Sequence, residues 1–188
     1  GQAGRPRRAA RPHPGDGLTD MARSSLREFQ ERLARRLAEA KTAEHRGLLG
    51  IQCGSENWLI ELTEAGEILP PPALSPVPLT RPWYRGLANV RGTLYGVVDF
   101  AQFNQQPPIV AAGRARLLLV GARHGIHCSL LVSASTGLRS HDDFERDPET
   151  DDRPWVAARM RDLQGRPWLQ IDVARLLAHP DFLDAGLA

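Results

Sequence analysis

Gly86-Leu87-Ala88-Asn89-Val90-Arg91-Gly92-Thr93-Leu94-Tyr95-Gly96-Val97-Val98-Asp99-Phe100 is the most constrained stretch of this chain. Its glycines at 86, 92 and 96 free the backbone around a sharp entry to a strand, and Asn89 can hold a turn by bonding its own backbone. Thr93 to Phe100, rich in valine and aromatics, reads as a buried strand. Arg91 then sits at the tip of the turn. Its guanidinium can grip a partner's carboxylate or carbonyl groups through two directed bonds, or close an internal ion pair with Asp99 or Glu67. Spacing alone leaves both readings open.

On the N-terminal side, Leu48 to Cys53, Gly54-Ser55-Glu56-Asn57 and Trp58 to Leu62 read as strand, tight turn and strand. Pro70, Pro71, Pro72, Pro76, Pro78 and Pro82 then forbid a helix or a central strand, because proline lacks the N–H both need. The chain must cross the surface there in extended form. On the C-terminal side a polar connector, Asn104 to Gly113, precedes a second hairpin formed by Arg116 to Val120 and Ile126 to Val132. Trp155 to Arg161 and Arg166 to Ile171 flank another turn, and Asp172 can cap a short helix over Val173 to Leu177. About seven to ten short strands separated by turn signals predict a mainly β fold of small barrels or a sandwich. The connector near residue 108 is expected to divide it into two halves of similar make-up.

Before this body, Ser25 and Glu28 have the spacing of a capping box, and Leu26, Phe29, Leu33, Leu37 and Ala40 draw one apolar stripe along a helix expected over residues 21–46. The stripe can dock on its own domain, which is the expectation here, or lie in a partner's groove. Residues 1–20, with Arg5, Arg7, Arg8 and Arg11 among prolines and glycines, read as a disordered basic tail, and Met21 is a candidate start.

The composition, 41% hydrophobic and 24% charged in 188 residues, is that of a folded domain. The net charge of +2 resides entirely in the first twenty residues, so the remainder offers no broad electrostatic footprint for nucleic acid. No run approaches the ~18 apolar residues of a membrane span. The expectation is a cytoplasmic protein without direct membrane insertion.

Reactive chemistry is poorly represented. There is no G-x-S-x-G elbow, no glycine-rich phosphate loop and no H-E-x-x-H. Cys53 and Cys128 lie in separate apolar runs and read as buried thiols. His127 adjoins Cys128, but neighbouring strand residues point to opposite faces. His124 and His127 lack the spacing to share a metal, and the acidic segment His141 to Asp152 lacks the glycine of a calcium loop and reads as a solvated surface loop. No metal and no cofactor are expected. A thiol hydrolase using Cys128 with His127, and an RNA-binding small barrel steered by the arginine-rich tail, are the competing readings.

Arg85 to Gly92, followed by Val97-Val98-Asp99, resembles the N-[LV]-R-G…V-[IV]-D signature of CheW-like domains. The layout agrees from about Leu48 to Leu177, and Glu67-Ile68-Leu69 before the proline-rich crossing looks like that family's E-I segment. The leading helix and the close at Trp168-Leu169-Gln170-Ile171-Asp172-Val173 are most similar to the branch of the family serving type IV pili. The resemblance implies two intertwined five-stranded SH3-like β-barrels over residues 47–178, an N-terminal amphipathic helix, a short C-terminal helix and a C-terminal tail, 179–188. It implies a protein that is not an enzyme. Such an adaptor couples the cytoplasmic tip of a methyl-accepting chemoreceptor to the regulatory domain of a CheA-type histidine kinase, here with twitching motility as the output. By motif match, Asn89, Val90, Arg91 and Gly92 contribute to the receptor-binding face, with Glu67 near it. One departure is Ser133, where the family usually carries an aspartate; a hydroxyl can keep a turn hydrogen bond but not a charge.

Overall fold

The structure, a computed structural model, describes residues 16–45 and 47–186, with side chains described for residues 23, 25–40 and 47–186. It forms two compact units, residues 1–42 and 43–188.

The first unit contains the helix α1 (Asp16–His45) up to residue 42. It begins well before Ser25, so the proposed capping box lies inside the helix. Of the tail assigned to residues 1–20, residues 1–15 fall outside the described residues, and 16–20 are helical instead. Propagating an existing helix adds one hydrogen bond for each residue ordered, so the helix can extend N-terminally past the expected start. Within this unit Leu26, Phe29, Leu33 and Leu37 are 48 to 59% exposed.

In the second unit the strands are β1 (Leu48–Cys53), β2 (Glu56–Glu61), β3 (Ala65–Leu69), β4 (Leu74–Ser75), β5 (Tyr84–Val90) and β6 (Thr93–Asp99). After α2 (Phe100–Phe103) come β7 (Arg116–Val120), β8 (Cys128–Val132), β9 (Ala134–Arg139), β10 (Phe144–Arg146), β11 (Val156–Asp162) and β12 (Pro167–Ile171). Two short helices, α3 (Val173–Ala178) and α4 (Pro180–Leu183), follow. One sheet has the order β10-β11-β12-β2-β1-β9 and the other β3-β7-β8-β6-β5-β4. The mainly β, two-subdomain architecture is as expected, but each sheet has six strands rather than five. The additions are the two-residue β4 and the three-residue β10, both at sheet edges.

The division near residue 108 is corrected by this topology. The connector joins β6 to β7 within one sheet, and the other sheet takes its first hairpin from before that sheet and four strands from after it. Two parallel pairings make this possible, Leu169 with Trp58 across β12 and β2, and Gly96 with Cys128 across β6 and β8. Turn signals report hairpins between chain neighbours; they carry no information on which distant strand closes a sheet.

β1 is buried along nearly all its length because its two faces serve two apolar clusters. The larger cluster gathers Ile51 and Trp58 of one sheet with Val97, Leu117 and Leu130 of the other, and the Trp58 ring meets Phe100 edge to face at 4.9 Å. Leu48, Leu59, Phe144 and Trp168 form the smaller one.

Two further expectations are corrected. Residues 179–186 are not a tail: Phe182 is buried, stacked on Trp83 at 6.4 Å and edge-on to Phe103 at 5.5 Å. The Arg81 amide and Nε donate to the carbonyls of Ala185 and Asp184 at 2.7 and 2.9 Å. A lone aromatic beyond a proline carries no periodic signal, so only its contacts reveal it. The acidic segment is likewise not simply a solvated loop, since it contains β10 and buries Phe144 against Trp168. Its carboxylates neutralise arginines of the same domain: Asp147 with Arg161 at 2.9 Å, Glu149 with Arg159 at 3.6 Å and Asp151 with Arg153 at 2.8 Å. Arg153 also grips Glu56 at 3.0 Å and lies over the Trp58 ring at 5.1 Å. Among the described residues no group of three or more His, Cys, Asp and Glu side chains is placed to hold a metal ion.

Candidate functional site

Val90 pairs with Thr93, so β5 and β6 are joined by a two-residue turn, Arg91-Gly92. Both residues have positive φ, 50° and 85°, as a two-residue turn matched to the twist of a hairpin requires. Glycine takes this conformation freely, whereas arginine pays about 1–2 kcal/mol. Asn89 Oδ1 accepts a hydrogen bond from the Gly92 amide at 2.8 Å and locks the tip. Val90 points into the core and anchors the turn from beneath rather than facing solvent.

The Arg91 side chain is 73% exposed and forms an ion pair with Glu67, itself 40% exposed. The internal ion pair is thus formed, and its partner is Glu67, not Asp99. Glu67 lies on β3, at the opposite edge of the sheet order from β4 and β5. The contact between them requires this sheet to curl round on itself. An ion pair so exposed contributes at most about 1 kcal/mol, so both charges can exchange into contacts with another molecule.

Asp99 has a different task. It is fully buried, with Oδ2 accepting from Arg85 Nη1 at 3.1 Å and the Ile109 amide at 2.8 Å, and Oδ1 from the Gln102 amide at 2.9 Å. It caps α2 and ties the connector to β6. Ser133 also takes a supporting role, its hydroxyl accepting from the Gly54 amide in the β1–β2 turn at 2.9 Å, a long-range contact rather than a bond within its own turn.

The structure adds apolar residues that the sequence reading did not single out. Leu94 is paired with Asn89 and Gly96 with Leu87, so these side chains share the outward face of the hairpin, and Leu94 is 55% exposed. Leu87, Leu94 and Gly96 line a groove of about 510 Å³ together with Tyr84, Ile126 and Leu183. The period-two signal was present in Leu87-Ala88-Asn89-Val90, but reading Asn89 as a turn residue concealed β5.

The two thiols do not form a nucleophilic centre. Cys53 is fully buried, and burial pushes its thiol well up from the ordinary value. Cys128 is 6% exposed and pushed up to about 12 by burial. The His127 ring lies against Tyr95 at 5.4 Å, and His124 is held 3.0 Å from Glu64. At pH 8 the thiolate fraction is negligible, so both cysteines are expected to react with a soluble disulfide reagent at least ~100-fold more slowly than in denaturant. Rapid native labelling would reverse this conclusion.

Paired small barrels that present charged and apolar side chains at a hairpin, beside sulfurs held as thiols, describe a module for binding other proteins. The family model for the CheW-like domain matches residues 47–181, and the chain belongs to that family. It is 25% identical over 166 residues to Protein PilI of Pseudomonas aeruginosa, covering 81% of this chain and 90% of that protein. Among solved structures, the scaffolding protein TtCheW from Thermoanaerobacter tengcongensis shares the fold with a TM-score of 0.57 at 16% identity, covering 68% of this chain and 88% of that one.

Proposed function

We propose that this chain is a cytoplasmic coupling adaptor, joining the cytoplasmic tip of a chemoreceptor to the regulatory domain of a CheA-type histidine kinase in a chemotaxis-like system that controls type IV pili and twitching motility. Membership of the CheW-like family and the likeness to PilI over most of both chains support the reading. Among the described residues no helix is long and apolar enough to cross a membrane.

The observation that carries it is Arg91, held out to solvent by a turn whose conformation is costly for arginine. A receptor carboxylate can replace or join Glu67 on the guanidinium, while Leu94 and Leu87 supply apolar contact on the same hairpin face. Glu67, Asn89 and Arg91 make the polar part of the surface, Gly92 permits the turn, and Val90 supports it from the core. Transient signalling contacts bury about 1,200 Å² or less, so a few residues dominate affinity.

Arg91→Glu places two like charges side by side without touching the core. The variant is expected to retain its melting temperature within about 2 °C, yet lose at least ~30-fold in affinity for receptor tips and fail to stimulate the kinase. A folded variant that still couples receptor to kinase overturns the assignment.

A further inference from the structure

We propose that α1 is an interfacial helix, which lies along an anionic membrane surface and holds the CheW-like domain beside it. The first observation is the open apolar stripe: Leu26, Phe29, Leu33 and Leu37 are all about half exposed or more. At 3.6 residues per turn these side chains and Ala40 fall within an arc of about 80°.

The second is where the charges lie around that arc. Arg32 and Arg36 line one margin of the stripe and Arg23 and Arg27 the other, while Glu28, Glu31 and Glu39 gather on the far face, with Arg35 among them. Basic residues on both margins can reach down to lipid phosphates while their stems cover the edges of the apolar arc, and the carboxylates point to water. A flat anionic surface satisfies both margins at once.

The third is the distribution of charge along the chain. Through Arg46 there are eleven lysines and arginines against six aspartates and glutamates; beyond it there are thirteen against sixteen. The family domain is therefore mildly acidic and would be repelled by the surface to which the helix is drawn.

A second copy of the helix is the less suitable occupant. Stripe steps of three, four, four and three residues depart from the alternating three and four of a coiled-coil seam, whose next position would be Arg36 rather than Leu37. The helix lies on the membrane in this proposal and does not cross it, in keeping with its charged faces.

The test is co-sedimentation of the full chain with extruded vesicles, of phosphatidylcholine alone and of about three parts phosphatidylcholine to one of phosphatidylglycerol. Binding is expected only to the anionic vesicles. It should fall at least ~10-fold in Phe29→Glu or Leu33→Glu, fall similarly in Arg27→Glu/Arg32→Glu, and weaken between about 0.1 and 0.5 M salt. Absence of binding, or equal binding to both vesicles, overturns the proposal. So does undiminished binding by Phe29→Glu, which would assign the lipid contact to Arg5, Arg7, Arg8 and Arg11. Two further outcomes in the absence of vesicle binding also overturn it: a dimer dissociated by Leu33→Glu, and capture of the helix by receptor tips.

Discussion

Asp99→Ala is expected to destabilise the CheW-like domain by about 3–5 kcal/mol, lowering its melting temperature by roughly 6–20 °C. The fully buried carboxylate satisfies three donors at once, the Arg85 guanidinium and the amides of Gln102 and Ile109. Removing it leaves two amides without their acceptor, uncaps α2 and strands a guanidinium whose remaining acceptor is the Ile109 carbonyl at 2.8 Å. The full penalty of unsatisfied groups is therefore incurred, rather than the small net value of an ordinary hydrogen bond. Arg85→Ala should cost less, because the arginine is partly exposed and the aspartate keeps both amides. Thermal unfolding followed by circular dichroism ranks the two. A melting temperature for Asp99→Ala within about 2 °C of the parent would show that the cluster contributes little.

Gly86→Ala should be comparably damaging, at about 3–5 kcal/mol, whereas Gly92→Ala should cost about 1 kcal/mol. Both glycines have positive φ, 108° and 85° respectively. A methyl group at 86 would also run into the carbonyl oxygen of Ser75 and come within 2.9 Å of the Pro76 Cα, backbone atoms of the crossing that carries β4. At 92 a methyl would meet nothing within 4 Å. The pair separates backbone strain from steric exclusion in one hairpin, and denaturant titration of both variants reads the difference. Equal losses would mean that β4 yields easily and that close strand approach does not select glycine at 86.

Much of this molecule was legible in short segments. The β1–β2, β7–β8 and β11–β12 hairpins, the extended proline crossing and the Asp172-capped helix follow from turn residues and apolar periodicity within a dozen positions. The signature around Arg91 also located an exposed, glycine-shaped turn, and its ion pair with Glu67 was one of two anticipated partners. β5 was concealed because Asn89 is both a strand residue and the acceptor that closes the next turn.

The sequence by itself determined the mainly β character, the tight turn that displays Arg91, the amphipathic helix and the burial of two thiols in apolar runs. These are local matters, decided by dihedral preference, side-chain alternation and burial of neighbouring residues. Tertiary structure alone decided that one sheet is assembled from chain segments on either side of the other, that Glu67 rather than Asp99 meets Arg91, that Phe182 returns to the core, and that the acidic segment serves the domain's own arginines. Those outcomes depend on which distant surfaces can close a loop and bury together, and the free energy of such a closure resides in contacts between residues that no short window contains.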